Sequence, residues 1–222
     1  MQRHFDQELA QLKDVLLRMG ALVEHQIQQA LRALVERDSD LAAAVIERDH
    51  EVNALDVEID DTCIKLLALH QPTARDLRFV TTAMKISSEL ERMGDLADHI
   101  AERALELNTE PQLKPYIDIP RMANWTMHMV KECLDAFVKS DSAMARKVCA
   151  DDDFVDDLNA QLFRELLSFM LENPVTITRA IRLTFVAKSL ERIADHATNI
   201  SELVVYMVEG KNIRHVAPSA PV

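Results

Sequence analysis

Glycine is nearly absent from this chain, which has only three glycines in 222 residues. Strand-rich proteins need glycine at tight turns and bulges, so this scarcity argues against a fold built from hairpins. Aromatic residues are also few, at 5% of the sequence, whereas the apolar fraction of 48% is ordinary for a folded protein. The composition therefore predicts an all-α protein made of long helices joined by few loops.

Other absences indicate the compartment of the protein and the kinds of ligand it could bind. Its three cysteines, Cys63, Cys133 and Cys149, form no CxxC pair, which is typical of reduced core residues in a cytoplasmic protein. No secretory signal begins the sequence, and no apolar run approaches the ~18 residues that a membrane span needs. A net charge of −12 argues against nucleic-acid binding and suits metal cations or basic protein surfaces.

Apolar residues recur at spacings of three and four along most of the chain, which is the pattern of amphipathic helices. Polar turns and prolines divide this pattern, and Asp38 and Asn173 are of the type that caps a helix start. The divisions predict six helices, near residues 2–37, 40–70, 73–108, 121–139, 142–172 and 175–209. Short connections favour antiparallel packing, so we expect two three-helix bundles, at 1–109 and 121–209, with a linker at 110–120 and a mobile tail at 210–222.

The two predicted bundles match each other in sequence. Residues 33–39 (ALVERDS) align with residues 136–142 (AFVKSDS) at an offset of 103. Residues 90–95 (LERMGD) align with residues 190–195 (LERIAD) at an offset of 100. We interpret the match as a tandem repeat of one helix–helix–helix unit; the alternative is chance similarity between amphipathic helices.

Acidic side chains that could bind a metal ion recur along one face of a helix, and these acidic stripes match between the two repeats. Two carboxylates four residues apart share one helix face and repel by a few tenths of a kcal/mol unless a cation lies between them. If consecutive helices pack antiparallel, the stripes of two helices converge once in each repeat. The candidate metal ligands of the first repeat are Asp49, Asn53, Asp56, Glu91, Asp95 and Asp98. Those of the second repeat are Asp152, Asp156, Glu191 and Asp195.

Carboxylate and amide oxygens without thiolates suit hard cations such as magnesium, manganese or iron. The stripes therefore predict a metal site in each repeat. The alternative is a solvated acidic face on which Arg92 and Arg192 pair locally. His196 points about 140° around its helix from Glu191, so we expect it to be a surface or interface histidine and a poor ligand. His99 lies closer, about 80° from Glu91, and remains a candidate ligand weaker than the carboxylates.

Residues 90–95 (LERMGD), 190–197 (LERIADHA) and 71–78 (QPTARDLR) resemble the signatures of the PhoU family, and the resemblance extends over roughly residues 5–209. It implies two three-helix bundles that hold iron, magnesium, manganese or zinc through E/D-x-x-x-D motifs, here Glu91, Asp95, Glu191 and Asp195. It also implies a regulator that represses the phosphate-starvation response when phosphate is plentiful. Ala194 and Thr198 depart from Gly94 and Asp98, which implies a weaker or differently filled second site.

The resemblance implies two partners, the ATPase subunit of a phosphate ABC transporter and a membrane sensor histidine kinase. A homodimer is also expected, because long helices with two apolar lines can leave one for a partner. Two other functions stay open. A ferritin-like di-iron carboxylate enzyme needs two Glu-x-x-His motifs, and the sequence offers only Glu47 to His50, outside the main stripes. A metal-free helical scaffold is the third possibility, and we expect no catalysis.

Overall fold

The computed structural model describes residues 2–213 of the chain, and within that range it contains seven α-helices and no strand. The all-α prediction is thereby confirmed. Most of the predicted mobile tail, residues 214–222, lies outside the described residues. The helices are α1 (Gln2–Glu36), α2 (Ser39–Glu47), α3 (Asp49–His70), α4 (Ala74–Asn108), α5 (Asp118–Lys139), α6 (Ser142–Glu172) and α7 (Ile177–Glu209), with a 3-10 turn at Pro174–Thr176.

Side-chain caps begin three of the helical segments where polar turns interrupt the apolar pattern. Asp38 accepts a hydrogen bond from the backbone N–H of Leu41 at 2.9 Å, which caps α2. Asp141 does the same at α6, and the Asn173 side chain accepts from the N–H of Val175 at 3.1 Å. These bonds satisfy N–H groups that have no partner within the helix, so the sequence positions of the breaks follow from local chemistry.

The prediction of one continuous helix over 40–70 is wrong, because the chain breaks at Arg48. The N–H of Arg48 bonds to the carbonyl oxygen of Val45 at 3.1 Å, which tightens the last turn of α2. A ring nitrogen of His50 lies 2.8 Å from the carbonyl oxygen of Glu47, and Arg48 pairs with Glu51. The His50 ring thus contacts a backbone carbonyl at the break, and α3 begins afresh at Asp49.

The start of the predicted helix at 121 is also displaced, since α5 begins at Asp118 and carries Pro120 in its first turn. Proline is tolerated there because the first N–H groups of a helix need no partner inside it. The connection between α4 and α5 is therefore shorter than the predicted linker. The residue limits of the two repeats otherwise stay predictions.

Two long helices, α4 and α7, form the centre of the molecule. They pack against each other, while α1, α2 and α3 pack on α4, and α5 and α6 pack on α7. Side chains such as Leu90, Met93, Leu190 and Ile193 are fully buried in this arrangement. The E-x-x-x-D motif of each repeat therefore lies on a central helix whose other sides pack in the core.

The joint between the repeats includes a buried polar contact. Glu89 of α4 and His196 of α7 are each only 9% exposed, and their side chains lie 2.6 Å apart. Asn199 donates a second hydrogen bond to the same Glu89 oxygen at 3.1 Å. His196 thus lies at the interface between α4 and α7, where its ring contacts Glu89. This agrees with the expectation that it is a poor metal ligand.

Phe137 tests how much stability the packing between repeats provides. Its side chain is 1% exposed and stacks on Phe79 with ring centroids 5.7 Å apart, so it joins α5 to α4. We expect Phe137→Ala to lower the free energy of unfolding by about 3–5 kcal/mol, since it leaves a cavity. Leu69→Ala, at a side chain 70% exposed, should change it by no more than about 0.5 kcal/mol in the same urea titration. Equal effects of the two substitutions would show that the rings are not part of a close-packed core.

Candidate metal sites

The predicted ligands of the first repeat lie on α3 and α4, two helices that pack against each other. We call Asp49, Asn53, Asp56, Glu91, Asp95 and Asp98 cluster 1. The carboxylates of Asp49 and Asp56 both raise the pKa of Glu91, and that of Asp49 also raises the pKa of Asp95 and Asp98. Charges on the two helices are therefore close enough to repel, so the two stripes face one another as the spacing predicts.

Gly94 of α4 lies beside cluster 1 and leaves a methyl-sized space there. A methyl group at Gly94 would lie 3.8 Å from Asp49 Oδ1 and 3.4 Å from Gln26 Oε1, an amide oxygen that α1 contributes. The absence of a side chain at Gly94 therefore keeps open a space toward which oxygens of two other helices are directed. In the second repeat the matching position is Ala194, which is fully buried.

Several oxygens of cluster 1 have no hydrogen-bond partner among the described residues. Asp49 Oδ1, Asp56 Oδ1 and Asp98 Oδ1 are buried atoms without a hydrogen-bond donor. The side-chain oxygen and nitrogen of Gln26, a residue only 3% exposed, also lack a hydrogen-bond partner among the described residues. Buried polar atoms are normally hydrogen-bonded, and hard cations bind oxygens of this kind. The three aspartates do not, however, bring their oxygens within 4.8 Å of one another. By donor type the residues of cluster 1 fit a hard metal ion.

Electrostatics in cluster 1 favour proton or metal binding. Burial, with repulsion from Asp49, Asp95 and Glu102, raises the pKa of Asp98 to about 7. Burial and neighbouring carboxylates also raise the pKa values of Glu91 and Asp95. Among the α3 ligands, Asn53 Nδ2 donates a hydrogen bond to Asp49 Oδ2 at 2.7 Å, which relieves part of this charge. A divalent cation would remove the repulsion that now disfavours the ionised carboxylates.

Cluster 2 consists of Asp152 and Asp156 on α6 with Glu191 and Asp195 on α7. Burial comes first and repulsion from Asp195 and Asp156 second in raising the pKa of Asp152 to about 6, so these four charges also converge. Glu191 differs from its counterpart because Lys188 forms an ion pair with it, and the position matching Lys188 in the first repeat is Ser88. Cluster 2 therefore carries its own partial neutralisation.

Neither cluster closes tightly around a point. Among the described side chains, histidine, cysteine and carboxylate ligand atoms come within 4.8 Å of one another in a group of three only at His128, Glu132 and Asp151. That group was not predicted, because its members belong to two different helices and to no matched stripe. Lys147 fills it, with Nζ 2.9 Å from both Glu132 oxygens and 3.8 Å from Asp151 Oδ2. It is thus an ion-pair cluster between α5 and α6.

Sequence reasoning missed Gln26, which adds α1 to the surroundings of cluster 1. A glutamine within an apolar helical line was the available signal, and its counterpart in the second repeat is Met129. All three cysteines are free; Cys63 and Cys133 are buried as expected of core residues, whereas Cys149 is only half-buried. Burial raises the pKa of the Cys63 thiol to about 12, so the thiol stays protonated.

The chain is similar to known proteins in its family pattern, in its sequence and in its fold. The family model described as "PhoU domain" matches residues 16–104 and again residues 119–204. The chain belongs to the PhoU family. The two matches also agree with the interpretation of the sequence as a tandem repeat.

Individual PhoU relatives resemble the chain over almost its whole length. A phosphate-specific transport system accessory protein PhoU homolog from Aquifex aeolicus is 44% identical over 208 residues, covering 94% of each protein. The crystal structure of PhoU from Pseudomonas aeruginosa superposes with a TM-score of 0.90 at 40% identity, over 93% of this chain and 100% of that one. The phosphate transport system regulatory protein PhoU from Streptococcus pneumoniae gives a TM-score of 0.89 at 34% identity, over 94% and 98%. No helix in the described part of this chain is long and apolar enough to cross a membrane.

The raised pKa of Asp98 predicts how the metal-free protein responds to pH. The pKa of about 7 in the folded state exceeds the value near 3.9 of an unfolded chain, so between these values the folded protein holds a proton that the unfolded chain has lost. This contribution therefore makes stability fall as pH rises from about 4 to 7. We expect Asp98→Asn to flatten the fall and to raise the free energy of unfolding at pH 8, measured by urea titration with a chelator present.

Asp61→Asn serves as the matched control, because Asp61 is an exposed acid on α3 outside cluster 1. Its curve of unfolding free energy against pH should stay parallel to that of the wild type. The assigned repulsion within cluster 1 is wrong if the Asp98→Asn curve stays parallel as well.

Proposed function

We propose that this chain is a cytoplasmic metal-binding regulator, without catalytic activity, that represses the phosphate-starvation response when phosphate is plentiful. The observation that carries the metal-binding part is the set of buried, unpartnered oxygens of Asp49, Asp56 and Asp98. The regulatory part rests on family membership and on the printed names of relatives, a phosphate-specific transport system accessory protein and a phosphate transport system regulatory protein.

Each repeat would hold metal between its second and third long helices. Cluster 1 offers Asp49, Asn53, Asp56, Glu91, Asp95 and Asp98. Cluster 2 offers Asp152, Asp156, Glu191 and Asp195. A bound ion supplies positive charge that neutralises the facing carboxylates and joins the paired helices. Oxygen donors favour magnesium, manganese or iron over metals that prefer thiolates, and zinc accepts carboxylates as well.

The two clusters differ in how strongly they need a cation. Cluster 1 has the open space at Gly94 and the additional acid Asp98, whereas cluster 2 has Ala194, Thr198 and the internal cation Lys188. Lys188 neutralises Glu191, so cluster 2 without a metal ion has less unbalanced charge than cluster 1. We therefore propose that cluster 1 binds metal more tightly than cluster 2.

The proposed partners are the ATPase subunit of a phosphate ABC transporter and a membrane sensor histidine kinase, with the protein acting between them as a homodimer. The accessory role in the names of the relatives supports association with a transporter. The excess of acidic over basic residues, 37 against 25, suits docking on basic cytoplasmic surfaces.

Two double variants test metal binding directly. We expect Glu91→Ala with Asp95→Ala to abolish binding at cluster 1, and Glu191→Ala with Asp195→Ala to remove only the weaker site. Calorimetric titration of manganese into chelator-treated protein measures both affinities and stoichiometry. Removing two of the carboxylates should weaken cluster 1 by at least about 100-fold, because each lost ligand also lowers the attracting charge.

Asp61→Ala with Glu172→Ala is the matched control for charge, since it removes two exposed acids outside both clusters. The control should bind manganese as the wild type does. Metal binding at cluster 1 is refuted if the Glu91 and Asp95 variant keeps the wild-type stoichiometry and affinity.

A phosphate-regulated reporter gene tests the regulatory role. In a strain lacking the protein, we expect the reporter to be active even in phosphate-rich medium, and the wild-type chain to restore repression. The cluster 1 double variant should restore less repression at equal protein abundance. Normal repression without the protein would show that it is not a regulator of this response.

A further inference from the structure

A cavity of about 260 Å³ opens between α1 and α2, beside the break that separates α2 from α3. Four side chains that can donate hydrogen bonds line it: His25, Gln26 and Gln29 of α1, and Arg48 at the break. Among the described residues that line the cavity none is acidic, although acids outnumber bases by 37 to 25 in the whole chain. The lining therefore favours a ligand that carries negative charge.

Gln26 is the polar side chain of this lining for which the fold provides no partner. It is only 3% exposed, and its amide oxygen and nitrogen both lack a hydrogen-bond partner among the described residues. The oxygen lies on the side of cluster 1, 3.4 Å from where a methyl group at Gly94 would be. Nε2 is then the atom left for the cavity. A buried amide N–H group is normally hydrogen-bonded, so a ligand in the cavity would supply the missing acceptor.

Arg48 brings a positive charge to the edge of the cavity. Its Nε and Nη2 donate to the carboxylate of Glu51 at 2.9 and 3.4 Å, which leaves the hydrogens on Nη1 for another acceptor. The two side chains of this ion pair are 50% and 38% exposed, and exposed ion pairs contribute little to stability. The guanidinium group is therefore free to bind a ligand, and its planar shape suits the oxygens of a carboxylate or phosphoryl group.

The corresponding positions of the second repeat carry the opposite charge and are neutralised from within the chain. At the offset of 103, the counterparts of Gln26, Gln29 and Arg48 are Met129, Glu132 and Asp151. Lys147 stands where the first repeat has Ala44. Its amino group lies 2.9 Å from both oxygens of Glu132 and 3.8 Å from Asp151. The first repeat has lost this lysine and replaced the two acids by an amide and an arginine, so the charge that would balance it is an anion.

The remaining wall of the cavity is mainly apolar. Leu22 of α1 contributes to it, with Leu41 and Val45 of α2. An inorganic ion would engage the polar side chains and leave this wall without contact. Sites for drug-sized ligands measure about 300–1,000 Å³, so a cavity of about 260 Å³ suits a smaller molecule. The lining thus matches a charged group attached to a short carbon body.

We propose that this cavity binds a small organic anion. Its carboxylate or phosphoryl oxygens accept hydrogen bonds from Arg48 and from Nε2 of Gln26, with His25 and Gln29 beside them. Its carbon body packs on the apolar wall of α1 and α2. This site is separate from the metal clusters and goes beyond the proposed function, because it gives the first repeat a small-molecule ligand of its own.

Two probes, n-butyl phosphate and valerate, test the site and distinguish the two kinds of charged group. Protein labelled with nitrogen-15, treated with chelator and transferred to metal-free Tris buffer, is titrated and followed by NMR. At least one probe should bind with a Kd on the order of 1 mM, a value suited to so few atoms. Binding should shift the side-chain amide signals of Gln26, which are identified by their absence from the spectrum of Gln26→Met.

Two further probes separate the contributions of charge and carbon body. Inorganic phosphate has the charge without the body, and n-butanol has the body without the charge. Each should bind at least about 10-fold more weakly than the better organic anion, because it loses either the apolar contacts or the charged hydrogen bonds.

Three variants assign the binding to this cavity. Gln26→Met introduces the residue found at the matching position of the second repeat, so the variant should fold. Gln26→Met and Arg48→Gln should each weaken binding of the better probe at least about 10-fold, since each removes a donor to the anion. Arg146→Gln is the matched control, because Arg146 is 46% exposed and paired with Glu209 on the second repeat. It should bind the probe as the wild type does.

Several results would overturn the proposal. They are failure of both organic anions to bind at ~20 mM, well above the expected Kd, and equal binding of inorganic phosphate or n-butanol. Wild-type affinity in both Gln26→Met and Arg48→Gln would also overturn it, as would equal weakening by Arg146→Gln. Should circular dichroism show that Gln26→Met is unfolded, Arg48→Gln decides, because it changes an exposed side chain. The titrations use metal-free protein, so failure of the metal sites leaves their result unaffected.

Discussion

Repulsion between carboxylates across a half-buried helix pair is the constraint on which the rest of this molecule depends. On α3 and α4, Asp49 faces Glu91, Asp95 and Asp98, and neighbouring positive side chains offset only part of this charge. Partial burial makes the repulsion stronger than it would be in water. Under the proposed metal binding, a cation between α3 and α4 would strengthen their pairing and so couple metal binding to the packing of the outer helix.

Duplication has produced two clusters with the same origin and different chemistry. The first repeat combines Gly94 with the Gln26 amide, and the second has a buried methyl and Met129 in their places. Lys188 brings a permanent positive charge to the second cluster only. The second repeat instead exposes large apolar side chains along its outer hairpin of α6 and α7, where the first repeat has mostly polar ones.

Much of the fold could be predicted from local signals. Scarce glycine, the three-and-four spacing of apolar residues, and caps such as Asp38 and Asn173 were sufficient for the helical class and most helix ends. The break at Arg48 could not be predicted, because the apolar pattern continues through it and the break is stabilised by the His50 and Glu51 side chains. The amphipathic pattern also does not tell which helix lies beside a cluster, so the contribution of Gln26 required the three-dimensional packing.

The central claim is that metal lies between facing helices in both repeats, and it is tested most directly by locating the ions. Crystals of chelator-treated protein soaked in manganese should give anomalous scattering peaks among the carboxylates of Asp49, Glu91 and Asp98. A weaker peak should lie among Asp152, Glu191 and Asp195. Peaks confined to surface acids elsewhere, with neither cluster occupied at saturating manganese, would contradict the account.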